Sequence, residues 1–163
     1  MCIRDRPTSI TLSEVEKFTW RRKHLRLRKT VFNFVPLYNN YELEFAEFLD
    51  KCIDIVKFAA IANIFKIDYL SSRGAIRFYI PDFVAVQEIQ NKKIYWIIET
   101  KGREYPDTRR KDKAMNKWCN DVSNQVKQEW KYLKVLQSNF NNFKKRQVKG
   151  KFLDLIEFLE ANL

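Results

Sequence analysis

The chain has 163 residues, 45% of them hydrophobic, which is typical of one globular domain with a single core. Its three glycines, Gly74, Gly102 and Gly150, are too far apart for a glycine-rich phosphate-binding loop, so the sequence excludes a self-contained ATPase, kinase or dinucleotide enzyme. The formal net charge of +11 favours a polyanionic partner, nucleic acid before an anionic membrane, because basic residues that bind DNA release its counterions.

Residues 1–30 are predicted to form a basic N-terminal arm or linker, and residues 31–163 the globular domain. Residues 1–6 share no pattern with the rest of the chain and look like a translated sequencing adapter, so we expect a truncated N-terminus. Residues 21–29 are rich in Lys and Arg, lack acids and contain the one histidine, His24, which excludes zinc sites built from paired histidines. This tract is either a DNA-facing arm or a solvated face or linker.

The first predicted elements are a core helix and two strands. From Tyr41 to Val56, apolar residues recur at intervals of three and four, which is the spacing of one helix face. They are Tyr41, Phe45, Phe48, Leu49, Cys52, Ile53 and Val56. The β-rich segments 63–70 and 75–80, separated by a polar turn, are predicted as strands.

The next predicted elements are a hairpin and a helix. Residues 83–89 and 94–100 are predicted strands joined by the polar residues 90–93. A second helix is predicted after Pro106, a strand over residues 129–136, then an Asn- and Lys-rich loop and a terminal helix ending at Leu163. This order predicts the α/β class, with a mixed β-sheet flanked by helices.

Acidic and basic residues at the strand ends form a candidate site. If Ile89 pairs with Ile94, Asp82 lies opposite Lys101, and alternation places Asp82, Glu99 and Lys101 on one face. Directly opposite Cβ atoms lie about 4.5 to 5.5 Å apart and diagonal ones about 7 to 8 Å, so the carboxylates of the diagonal pair Asp82 and Glu99 can converge on one hard cation, with Lys101 beside it. This pattern favours metal-assisted phosphodiester hydrolysis, although a one-residue slip in register would break it.

An E-x-K triplet is weak evidence in a lysine-rich chain, because a charged strand end closed by a surface ion pair has the same pattern. A second triplet, Glu129-Trp130-Lys131, lacks a preceding Pro-Asp hairpin. We therefore assign the site to the triplet that begins at Glu99 and treat the one at Glu129 as a decoy.

Four ordered segments resemble the nuclease domain of type III restriction endonucleases, a family of PD-(D/E)XK nucleases. They are FYIPDFVAV (78–86), WIIETKGRE (96–104), KAMNKWCNDV (113–122) and EWKYLKV (129–135). The resemblance covers about residues 29–137 and implies a restriction-endonuclease-like fold. It implies that Asp82 and Glu99 are metal ligands, that the Thr100 carbonyl is a candidate further ligand, and that Lys101 is the catalytic lysine. It also implies Mg²⁺-dependent cleavage of double-stranded DNA.

Nucleases of this kind often add an acid from the first helix, and Glu42 and Glu44 are the candidates. Helical spacing points Glu42 toward the sheet with Phe45 and Ala46, whereas Glu44 lies nearer the boundary of the apolar face. We choose Glu42, which also matches the family's E-x-x-F-A spacing. The alternative is a structural glutamate at the rim of that face.

Candidate DNA contacts lie just after the site in sequence. Arg103, Arg109, Arg110 and Lys111 lie where a phosphate backbone entering the site would pass, unless they only form a solvated charged loop. Type III subunits carry an ATP-driven translocase before the nuclease and act with a modification (methyltransferase) subunit. The chain is therefore expected to be either a fragment of such a subunit or a stand-alone nuclease.

Three widely spaced cysteines and the absence of a signal-like segment or a long apolar stretch predict a cytoplasmic protein with no membrane partner. Two alternatives to the restriction nuclease stay open. One is a non-catalytic basic DNA-binding module whose carboxylates form inert ion pairs. The other is a DNA repair or Holliday-junction nuclease on the same fold.

Overall fold

The computed structural model describes residues 14–61, 66–71, 73–102, 108–146 and 150–162. The elements are β1 (His24–Leu25), β2 (Val35–Pro36), α1 (Asn40–Lys51), β3 (Ile55–Ala60), β4 (Ile67–Leu70), β5 (Ile76–Tyr79), β6 (Phe83–Ile89), β7 (Lys92–Lys101), α2 (Thr108–Val126), β8 (Glu129–Leu136), α3 (Gln137–Lys144) and α4 (Phe152–Glu160).

The central sheet has four strands in the order β3-β6-β7-β8. β6 pairs antiparallel with both β3 and β7, whereas β7 and β8 are parallel and are joined by the crossover helix α2. Helices flank this sheet, which confirms the predicted α/β class and mixed sheet.

The two faces of the sheet bury separate clusters of apolar side chains. On one face, α1, α3 and α4 contribute Phe45, Phe140 and Phe152 to a core that also contains Phe83. On the other face, α2 and the β4–β5 hairpin bury residues such as Met115 against the sheet. The candidate site lies where β6 begins and β7 ends.

Two local predictions are wrong. The first helix ends at Lys51 instead of continuing to Val56, and Ile53 is 72% exposed. The next residues instead form the edge strand β3, since Ile55, Phe58 and Ala59 pack inward on the sheet. The predicted loop after β8 contains α3, whose Phe140 and Phe143 are three residues apart and both buried.

The hairpin between β6 and β7 is tighter than predicted. Gln90 and Asn91 have φ angles of 49° and 65°, as a two-residue turn of type I′ requires, and Ile89 pairs with Lys92 instead of Ile94. The register is thus displaced by two residues, and a displacement by an even number leaves every side chain on its predicted face.

Part of the predicted N-terminal arm is folded. β1 pairs with β2, and Leu25 and Leu27 pack against the first core. No helix in the described parts of the chain is long and apolar enough to cross a membrane.

Candidate active site

Asp82 lies immediately before β6, at the level of the end of β7. Its backbone N–H donates to the carbonyl of Ile98 at 3.1 Å, and its carbonyl accepts from the N–H of Ile61 at 2.9 Å. Extending the β6–β7 register by one residue places Asp82 across from Glu99, with Lys101 two residues further along β7. The structure therefore brings Asp82, Glu99 and Lys101 together. Asp82 lies across from Glu99, whereas the predicted register placed it across from Lys101.

Thr100 fixes the carboxylate of Asp82. The Thr100 backbone N–H and hydroxyl donate to Asp82 Oδ2 at 2.7 and 2.6 Å. Both of these hydrogen bonds end on Oδ2. No hydrogen bond to Oδ1 is seen from the described residues, so Oδ1 is the candidate metal ligand. Burial raises the pKa of Asp82, while the Thr100 bonds and nearby Lys101 lower it.

Glu99 is almost fully buried, with 3% of its surface exposed. Lys101 Nζ lies 2.6 Å from Glu99 Oε1, and the Tyr79 hydroxyl donates to Oε2. Burial raises the Glu99 pKa from 4.5 to about 7, the negative charge of Asp82 adds to this rise, and Lys101 and Tyr79 oppose the shift. Two neighbouring carboxylates that resist ionisation are a good place for a cation, which relieves their repulsion.

Glu42 approaches Asp82 from helix α1, which covers the other face of the sheet. Its carboxylate accepts from the Tyr38 backbone N–H and the Asn39 side-chain amide, both at 2.7 Å, and the Asn39 side chain caps α1. Glu42 and Asp82 line one cavity of about 190 Å³. Burial raises the Glu42 pKa, and Asp82 adds to the shift. Glu44 instead forms an exposed ion pair with Lys144, so helical spacing correctly distinguished the orientations of the two glutamates.

A family model of an endonuclease domain matches residues 28–145, which is more than half of the chain. The chain belongs to this endonuclease domain family. The match supports a restriction-endonuclease-like domain with nuclease activity on DNA, and it contains all of the residues that converge at the end of β7. No curated protein and no solved structure gives a significant match.

Endonuclease domains of the restriction type generally use divalent metals, and the donor set here suits a hard cation. The described residues contain no group of three or more His, Cys, Asp or Glu side chains that could hold a metal ion. Mg²⁺ needs fewer protein ligands, because it is commonly held by one or two carboxylates together with waters and substrate phosphates. The carboxylates of Asp82 and Glu99 fit that requirement.

The predicted DNA contacts have different surroundings. Arg109 and Arg110 are exposed in the first turns of α2. Lys111 is half-buried, and its Nζ lies 5.6 and 5.4 Å from the ring centres of Tyr69 and Tyr79. Arg103 lies outside the described residues. Two exposed arginines thus come after the site in this endonuclease domain, whereas Lys111 packs against aromatic rings.

The second triplet lies far from the site. Glu129 aligns with Ile94 near the start of β7 and forms ion pairs with Lys92 at 2.5 Å and Lys131 at 2.8 Å. These lysines lower the Glu129 pKa, opposite to the shift at Glu99. The half-buried, cation-paired Glu129 is a natural control for the site.

The sequence did not reveal the surroundings of Glu99 on the α2 side. Tyr79 reaches Glu99 from a separate hairpin, and Lys134 of β8 aligns with Glu99 across the parallel pair. Alternation along β8 puts Tyr132 on the same face as Lys134, but that signal is readable only once the parallel register is known.

Proposed function

We propose that this endonuclease domain hydrolyses phosphodiester bonds of double-stranded DNA with Mg²⁺ as cofactor, in the manner of the cleavage domain of a type III restriction enzyme. The observation that carries the proposal is the convergence of Asp82, Glu99 and Lys101 at the ends of β6 and β7 within a domain of the endonuclease family.

Asp82, Glu99 and the Thr100 carbonyl are the proposed metal ligands. When bound there, Mg²⁺ supplies a water of lowered pKa and neutralises charge on the reacting phosphate. Thr100 holds the Asp82 carboxylate through two hydrogen bonds to one oxygen, so the side chain need not reorganise when it binds a cation.

Lys101 is the proposed catalytic lysine. Its ammonium is anchored to Glu99 Oε1 at 2.6 Å, and a quarter of its side chain is exposed. An ammonium at that position can hydrogen-bond both a water molecule and a phosphate oxygen of DNA, which orients the attacking water and stabilises developing negative charge. Glu42, across the cavity from the pair, is the proposed outer acidic residue.

The DNA-binding part of the proposal rests on charge. The chain carries a net charge of +11, and Arg109 and Arg110 are exposed in the first turns of α2, which follows the site in sequence. Such residues contact phosphates without reading bases, so target selection belongs to other components. By the type III resemblance, we propose that a modification (methyltransferase) subunit selects the target. We also propose that an upstream ATP-dependent translocase region acts with it, in the cytoplasm.

The decisive experiment is a plasmid-nicking assay at high protein concentration with Mg²⁺. One Asp82-Glu99-Lys101 site addresses one strand at a time, so we expect slow, ATP-independent nicking that EDTA abolishes. Alanine at Asp82, Glu99 or Lys101 should reduce nicking by more than about 100-fold, since each group acts on the reaction directly. These variants should still fold and bind DNA.

Glu129→Ala is the matched control, because it removes the acid of the other E-x-K triplet and should leave nicking unchanged. Nicking by an alanine variant at the wild-type rate would refute the role of that residue. DNA binding without any metal-dependent cleavage would favour the non-catalytic module, and preferential cutting of four-way junctions over linear duplex would favour the repair nuclease.

A further inference from the structure

A series of polar side chains on the α2 side of the sheet leads from Glu99 to the surface. The Tyr79 hydroxyl donates to Glu99 Oε2, and the Tyr132 hydroxyl, which contacts Tyr79, donates to Asp112 Oδ1 at 2.8 Å. Lys134 Nζ lies 2.7 Å from the other oxygen of Asp112. These contacts connect β5, α2 and β8 to the end of β7.

Tyr79 is held firmly at the Glu99 end of this series. The residue is 8% exposed and belongs to the apolar cluster under α2. Its strand pairs with β4 through Ile67, and Lys111 Nζ lies above its ring. Because a buried phenol hydroxyl needs a hydrogen-bond partner, its position fixes where the partner oxygen must lie.

Packing alone does not explain the hydroxyl group. A phenylalanine ring would fill the same space in the apolar cluster without placing a polar atom there. The Tyr79 hydroxyl instead reaches one oxygen of Glu99 while Lys101 reaches the other. A glutamate side chain has several rotatable bonds, and two contacts on different oxygens restrict it to one orientation.

We propose that Tyr79 is a positioning residue that holds Glu99 in its metal-binding orientation, with Tyr132, Asp112 and Lys134 as its support. This inference rests on the proposed function, in which Glu99 is a metal ligand. Residues that hydrogen-bond to metal ligands orient those ligands, and their loss typically lowers metal affinity by about 10- to 100-fold. Tyr79 would act in this way from a hairpin outside the central sheet.

The test is direct binding of Mn²⁺, measured through the electron paramagnetic resonance signal of the free ion, without DNA. Tyr79→Phe should weaken Mn²⁺ binding by about tenfold or more. Its affinity for duplex DNA in EDTA should equal that of the wild type. Tyr132→Phe, one contact further from Glu99, should weaken Mn²⁺ binding by a smaller factor.

Tyr41→Phe is the matched control. Tyr41 is 5% exposed, and its hydroxyl donates to the carbonyl of Val135 at 2.9 Å, so the substitution also removes one buried phenol hydrogen bond. It leaves the contacts to both Glu99 oxygens in place. Its Mn²⁺ affinity should therefore stay at the wild-type value even if its thermal stability falls as far as that of Tyr79→Phe.

The outcomes separate the two proposals. If the wild type binds Mn²⁺, Glu99→Ala does not, and Tyr79→Phe binds as tightly as the wild type, the positioning role is overturned and the metal site stands. If the wild type binds no Mn²⁺, the proposed function itself fails. If Tyr79→Phe does not fold, an unchanged affinity in Tyr132→Phe overturns the positioning role.

Discussion

Replacing Glu99 by glutamine should stabilise the metal-free domain at pH 8. The side chain is 3% exposed and lies beside Asp82, and these surroundings raise its pKa from 4.5 to about 7. Between these two values the folded state holds more protons than the unfolded chain, so the free energy of unfolding falls as the pH rises. The stability contributed by the protonated Glu99 carboxyl is fully present below about pH 4.5 and is lost as the pH rises through about 7.

The size of the effect is set by that difference in pKa. At about 1.36 kcal/mol for each pH unit, ionised Glu99 costs the folded, metal-free domain on the order of 3 kcal/mol at pH 8. Glutamine has nearly the same shape and carries no charge, so Glu99→Gln should recover most of this. In a domain of this size, that corresponds to a rise in Tm of about 6 to 12 °C.

Thermal unfolding in EDTA at pH 5 and pH 8 is the measurement. Glu99→Gln should exceed the wild type in Tm at pH 8 and match it more closely at pH 5. Saturating Mg²⁺ at pH 8 should raise the Tm of the wild type, because a ligand that binds only the folded state stabilises that state by mass action. It should not raise the Tm of the variant, which lacks the Glu99 carboxylate. An equal difference in Tm at both pH values would refute the account of Glu99 as a buried carboxylate strained by ionisation.

Glu129→Gln supplies the control of opposite sign. Lys131 and Lys92 lower the pKa of this carboxyl, so its contribution to stability is present above its ordinary pKa and is lost as the pH falls. The substitution should therefore leave the Tm at pH 8 unchanged or slightly lower.

The remaining predictions concern Glu42 and DNA affinity. Glu42→Gln should reduce nicking less than Asp82→Ala does. The variant should still fold, because the Tyr38 N–H can donate to the amide oxygen of the glutamine. Unfolding of this variant would make Glu42 a purely structural residue. Affinity for duplex DNA should fall about 1000-fold between 50 and 200 mM salt if about six phosphates are contacted, with no preference between two unrelated duplexes. A flat salt response in a filter-binding series would contradict the electrostatic interpretation.

The local pattern of the hairpin was enough to predict which face carries Asp82, Glu99 and Lys101. That prediction survived a wrong register because the displacement was two residues and side chains alternate with period two. The pairing of Asp82 with Glu99 depends on the type of turn. It could not be predicted, because Gln90-Asn91 is not the Asn-Gly or Asp-Gly pair that marks a type I′ turn.

Other features depended on contacts that no local pattern encodes. The apolar spacing that defined α1 continued into residues of β3, where Ile55 and Phe58 turn inward as strand residues. Tyr79 and Glu99 meet through packing of the β4–β5 hairpin against α2, twenty residues apart in sequence. Tertiary contacts of this kind override spacing rules and become visible only in the folded chain.

The position of Asp82 also has a consequence for cooperativity. Its charge acts on Glu42, which belongs to the α1 layer, and on Glu99, which shares the α2 face of the sheet with Ile97. A cation bound by Asp82 would therefore raise the free energy of opening in both layers at once. Amide hydrogen exchange should slow together in α1 and in α2 when metal is added, so that the two halves of the fold open as a single unit.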